Sequence, residues 1–121
     1  MNQYAIIICA DASNGSDESL GRVLNALVVA NDLQERGDKV GIFFQGAGTR
    51  SINILENPEH PGHGLYKNVK GCIKGASKAC AAVFQADVKT VHLLDEFQIP
   101  GIGGATSLAK YIKEGYHPLT F

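Results

Sequence analysis

The chain has 121 residues, 45% of them apolar and 19% charged. That length fits one domain, residues 1–121, and that composition excludes a disordered, collagen-like or disulfide-scaffold chain. Its 11 Lys and Arg against 12 Asp and Glu leave a net charge of −1, too weak a field to hold nucleic acid by charge.

Tyr4 to Ala10 is an apolar, β-branched run. It is too short to cross a membrane, and no basic segment precedes it as in a signal peptide. It predicts a central strand buried on both faces, with Cys9 in the core. The polar loop Asp11 to Gly15 leads to Ser16, a predicted N-cap, with Asp17 and Glu18 in the first turn, where carboxylates suit the helix dipole. Leu20, Val23, Leu24, Leu27, Val28 and Leu33 then recur at helical spacing until Gly37 ends the helix. Lys39 to Phe44 predicts a second strand, reached by a right-handed crossover. Gln45 to Thr49 turns into a short helix over 50–56, and a breaker-rich loop over 57–64 carries His60 and His63.

By periodicity, Leu65 to Phe84 fits one long helix. Gly71 and Gly75 would each cost that helix about 1 kcal/mol. The preferred reading is a helix to about Lys70, a strand over 72–76 and a helix capped by Ser77. Val91 to Asp95 predicts a strand, Gly101 to Gly104 leads into a helix over 106–114, and Tyr116 to Phe121 is the last strand. Pro118 lacks a donor, which places that strand at a sheet edge. Five strands alternating with helices predict a three-layer α/β domain with a mostly parallel sheet. Ligands in such sheets sit beyond the carboxyl ends of the strands, here residues 11–15, 45–49, 77–80 and 95–104.

Gly21 to Leu27, Gly37 to Val40 and Gly46 to Thr49, then His60, His63 to Tyr66, Gly75 to Ala81, Leu93 to Glu96 and Glu114 to Phe121, form an ordered set. In that order they resemble the DsrE/DsrF-like family of small sulfur-relay proteins, over nearly the whole chain. The resemblance implies a flavodoxin-like three-layer sandwich, homo-oligomers and a cytoplasmic location. It also implies a cysteine after the third strand that takes sulfur as a persulfide and hands it to a partner. That region is Ser77 to Cys80 here. Two positions depart from the pattern. Ser77 stands where relatives often carry the first Cys of Gly-Ala-Cys-x-x-Cys-Ala, which speaks against a two-thiol redox cycle. Ile99 to Gly104 replaces a His-Pro-containing turn and is expected to remodel the pocket mouth.

Cys80 is the principal candidate. Three residues past a Ser77 cap, it would lie near unpaired N–H groups and the positive end of the dipole, both of which favour thiolate, with Lys78 adding charge. The alternative is a core cysteine sharing a helix face with Val83 and Phe84. Cys72 is either a second thiol able to resolve Cys80 or a strand filler. Three cysteines with no export signal read as intracellular thiols. No base is marked for the Ser77 hydroxyl, and an N-cap explains it.

Asn14, Gly46, Gly48, Thr49, Gly103 and Gly104 lie in the loops expected to shape a ligand site. The N–H groups of Gly101 to Ser107 could hold an anion, although no phosphate-loop lysine is present. His60 and His63 have ligand-like spacing but lack further ligands nearby, so no metal is assigned. Lys67, Lys70, Lys74 and Lys78 form a basic stripe, read as a solvated face or a surface for an acidic partner. Asp95 and Glu96 end the fourth strand as a base or as caps. No motif calls for a cofactor. The first functional reading is a sulfurtransferase-type carrier working between protein donor and acceptor. The second is a non-catalytic subunit that binds a small anion or only assembles. Neither involves nucleic acid or membrane.

Overall fold

The computed structural model describes all 121 residues. Strand β1 (Gln3–Ile8) leads to helix α1 (Asp17–Glu35), strand β2 (Lys39–Phe44) and a 3₁₀ turn over Gly46–Arg50 that runs into α2 (Ser51–Leu55). Helix α3 (His63–Val69), strand β3 (Ile73–Ser77) and helix α4 (Lys78–Val83) follow, then strand β4 (Leu93–Leu94). The hairpin β5 (Phe97–Ile99) and β6 (Gly103–Ala105), helix α5 (Leu108–Lys113) and strand β7 (Tyr116–Thr120) complete the chain.

The main sheet has five strands in the order β4-β3-β2-β1-β7, every neighbouring pair parallel. This is the expected flavodoxin-like three-layer α/β sandwich. The alternation of buried residues builds its layers. Ile6, Ile8, Ile42 and Phe44 face a core with Val23, Leu27, Ile52, Leu55 and Tyr66, from α1, α2 and α3. Ala5, Ile7 and Phe43 point the other way, onto Tyr111 of α5 and Tyr116 of β7. A strand buried on both faces needs an unbroken apolar run, and β1 supplies one. Phe43 and Tyr111 meet with ring centroids 4.6 Å apart, an edge-to-face contact worth about 1 kcal/mol beyond the area buried.

Ser16 caps α1 by accepting the Ser19 N–H at 3.2 Å. The buried stripe of α1 is Val23, Ala26, Leu27 and Ala30, while Val28 is exposed. The stretch from Leu65 to Phe84 breaks into helix, strand and helix as the two glycines require. β7 pairs only with β1, so Pro118 does sit on an edge strand. Two predicted elements differ. The fourth strand shortens to two residues. The glycines at 101–104 serve the turn and return strand of the β5–β6 hairpin rather than the entry to a helix, because Gln98 and Gly104 pair across it. No helix is long and apolar enough to cross a membrane.

Candidate functional site

The carboxyl edge of the sheet holds two cavities. The first lies where the strand order reverses, between the ends of β1 and β7 and beside the first turns of α1. Its volume is about 500 Å³, and its lining includes Cys9, Ser16, Glu18, Ser19, Arg22, Thr120 and Phe121. In open parallel sheets this reversal point is where ligands gather. Its serines, glutamate and arginine already have partners. Ser16 Oγ accepts the Ser19 N–H, Ser19 Oγ accepts from Asn14 Nδ2 at 3.2 Å, and Arg22 pairs with Glu18 at 2.6 Å.

Cys9 opens on this cavity and is exposed, which corrects its expected place in the core. The cause is local. β1 ends at Ile8, and the Cys9 N–H still donates to the Phe121 carbonyl at 2.8 Å while its side chain has passed the apolar layer. Partial burial, and after it the neighbouring Cys80, push the Cys9 thiol above its ordinary pKa.

The second cavity, of about 370 Å³, is walled by α4 and the β5–β6 hairpin. Ala79, Cys80, Val83, Phe84, Phe97, Ile99, Ile102 and Ala105 line it, with Gln45, Ser77 and Thr106 as its polar members. Ile99 and Ile102 belong to the segment expected to remodel the mouth, and they do line it. Cys80 is half-buried in the first turn of α4, its N–H donating to Ser77 Oγ at 3.3 Å. Ser77 is fully buried and is the cap of α4. Lys78 faces Asp95 Oδ2 at 3.4 Å in an exposed pair, turned toward that carboxylate. α4 has only six residues, which leaves a small dipole at Cys80.

Cys72 sits at the other end of β3, where its S–H donates to Gln34 Oε1 at 2.9 Å. A five-residue strand separates it from the Cys80 turn by roughly 15 Å, so the two thiols are not brought together. Burial, partly offset by Lys74, raises the Cys72 pKa. Lys74 belongs to β3 and sets its stem over Gly41, while Lys70 pairs with Glu56 at 2.6 Å. The four lysines of the expected stripe thus lie on different elements and form no continuous face.

The loop residues proposed for ligand binding do not converge. Asn14 folds back on its own loop, its Oδ1 accepting the Ser16 N–H at 2.8 Å. Gly48 is buried against β1, where a Cβ would overlap the Ile8 carbonyl. Thr49 donates to the Gly46 carbonyl at 2.8 Å. Gly103 and Gly104 belong to β6, and a Cβ at Gly104 would overlap the Asp95 carboxylate. His60 Nδ1 accepts the Gly62 N–H at 3.0 Å, and His63 Nδ1 donates to the Leu55 carbonyl at 2.8 Å. No group of three or more His, Cys, Asp or Glu side chains is placed to hold a metal ion.

Glu96 anchors the entry to α5, whose N-cap position is Ser107. It accepts the Ser107 N–H at 2.9 Å, the Tyr111 hydroxyl at 2.7 Å and the Lys110 ammonium. Burial alone would raise its pKa, but these hydrogen bonds outweigh burial and hold it below the ordinary carboxylate range. Sequence reasoning missed Gln45, Phe97 and Thr106 as partners of Cys80 in one cavity. The hairpin signal was available in Phe97-Gln98-Ile99 followed by Pro100-Gly101.

No family model matches the chain. The uncharacterised protein MJ0733 of Methanocaldococcus jannaschii is 29% identical over 96 residues, which is 78% of this chain and 75% of that protein. The crystal structure of the YchN protein from E. coli is similar over 100% of both chains, with a TM-score of 0.58 and 17% identity. That likeness shows the fold, and at the level of fold it agrees with the expected DsrE/DsrF-like resemblance.

Proposed function

We propose that the chain is a sulfur carrier in which Cys80 holds a persulfide. The observation that supports this most is the placement of Cys80: half-buried, in the turn after β3, on the wall of a cavity at the carboxyl edge of a parallel sheet. The Cys80 thiolate attacks the outer sulfur of a donor persulfide R–S–SH. A bond forms between Cys80 Sγ and that sulfur, the donor's S–S bond breaks, and R–S⁻ leaves. An acceptor thiolate then attacks the same sulfur and releases Cys80 as thiolate. No electrons are gained or lost overall, so no second cysteine is required. This suits a chain whose Ser77 occupies the other position and whose Cys72 faces Gln34. The proposal includes protein donor and acceptor, self-association of the chain and a cytoplasmic setting.

The test is intact mass after exposure to a persulfide donor, with peptide mapping. One added sulfur on Cys80, removed by thiol and absent in Cys80→Ser, is the expected result. No added sulfur, with Cys80 alkylated only after denaturation, overturns the carrier reading and leaves a binding or assembly subunit. Sedimentation velocity checks self-association separately.

A further inference from the structure

Two residues in the wall of the Cys80 cavity carry a hydrogen-bonding atom with nothing to bond. Gln45 and Thr106 line it, and their Oε1 and Oγ1 atoms are buried without a partner. Thr106 is only 4% exposed, so water does not serve its hydroxyl from outside. Buried oxygens of this kind are rare in folded chains, and each calls for an explanation. The remaining lining is aliphatic and aromatic, with Val83, Phe84, Phe97 and Ile102 around Cys80. No charged side chain lines the cavity. The nearby cations are already taken. Arg50 donates to the Phe84 carbonyl at 2.7 Å and reaches Asp11 at 3.6 Å, and Lys78 is paired with Asp95.

We infer that this cavity binds a neutral small molecule with an apolar body and a hydrogen-bond-donating head, the head meeting Gln45 Oε1 and Thr106 Oγ1. A carboxamide oxygen only accepts and a threonine hydroxyl accepts or donates, so a donor on the ligand satisfies both. An anion would have to give up its water for an apolar wall and unpaired oxygens, with no free cation in return. The volume of about 370 Å³ is at the lower end of small-molecule pockets and roughly twice a cavity that accepts benzene. One ring with a polar substituent fits that space. The inference goes beyond the carrier reading and does not require Cys80 to hold sulfur.

Benzamide is the probe, with toluene (no donor) and benzoate (an anion) as comparators, titrated against the whole chain by NMR. Benzamide is expected to bind more tightly than either and to slow alkylation of Cys80 by N-ethylmaleimide. Thr106→Val keeps the shape and removes the hydroxyl, so it should weaken benzamide about fivefold, the worth of one ordinary hydrogen bond, and leave toluene unchanged. Gln45→Leu is the second variant and should act in the same direction. No benzamide binding up to its solubility limit, tighter binding of toluene or benzoate, or unchanged benzamide affinity in both variants overturns the inference. Cys80→Ser separates the two proposals, because it abolishes sulfur uptake and should still bind benzamide.

Discussion

The two cavities lie at the same edge of one sheet and differ in how their polar atoms are treated. The larger, at the reversal point between β1 and β7, is lined by serines, a glutamate and an arginine that already have partners, Asn14 and a backbone N–H among them. The smaller is mostly apolar and leaves two buried oxygens unpaired. Position in the fold marks the first as open space. The unpaired oxygens mark the second as a place where folding has left a cost that an occupant removes. The cysteines divide in the same way, with Cys9 on the polar cavity and Cys80 on the apolar one.

The comparison can be broken most severely at the wall behind both sites. Gly48 packs on the Ile8 carbonyl, next to Cys9, and its turn follows Gln45. The obstacle is backbone and not a flexible side-chain tip, so Gly48→Ala should cost about 3 kcal/mol, read as a lower denaturation midpoint at unchanged slope. Stability like that of the parent would mean β1 can move away from this turn without loss. Ser51→Ala tests the satisfied side. Ser51 is fully buried, accepts the Ala12 N–H at 2.9 Å and donates to the Ala10 carbonyl at 2.8 Å, which fixes the loop after β1. Its removal leaves a buried N–H unpaired and should cost about 2 kcal/mol. Thr106→Val tests the unsatisfied side and should change stability in the opposite direction. Deleting a buried hydroxyl that bonds to nothing should stabilise the unliganded chain by about 1 kcal/mol. A loss of stability there would show that the hydroxyl is satisfied in solution and would remove the contrast between the cavities.

The layers of this molecule were legible in the sequence because they follow from local pattern. The apolar run Tyr4 to Ala10 reads as a strand buried on both faces, and the strand runs to Ile8, two residues short of the run's end, while Ser16 and Ser77 both cap the helices expected of them. The sites were less legible because they depend on strand order and on side chains meeting across long separations. Nothing in the run Ile6 to Cys9 shows that β7 lies beside β1, and that pairing is what turns Cys9 toward a cavity. Gln45 and Thr106 are 61 positions apart by their numbers and meet in one pocket only because the hairpin folds over α4. The glycines at 103 and 104 looked like a ligand loop because short strands rich in glycine and open loops have the same composition.

The finest distinction between the two cavities is their response to acid, and it rests on Glu96. This carboxylate lies between Phe97 of the hairpin and the start of α5, and it ties the backbone beside Thr106 through the Ser107 N–H. Its pKa is lowered in the folded chain, despite burial, by bonds from Lys110, Tyr111 and Ser107. A carboxylate lowered on folding contributes stability that is fully present above its unfolded pKa, about 4.3 for Glu. That contribution is lost as pH falls through the lower folded value. Denaturation midpoints should therefore drop below about pH 4. Glu96→Gln should be less stable at neutral pH and show a shallower drop in acid, because Gln cannot carry the charge that Lys110 and the Tyr111 hydroxyl meet. In the same acid range, benzamide binding to the second cavity should weaken in the parent chain more than in Glu96→Gln. Glu96, Ser107, Lys110 and Tyr111 line neither cavity, but Glu96 and Ser107 adjoin Phe97 and Thr106 in the wall of the second, and none of the four adjoins a wall residue of the first. An equal acid slope in both chains would mean that the hairpin holds its place without Glu96, and that the walls of the two cavities respond to protons alike.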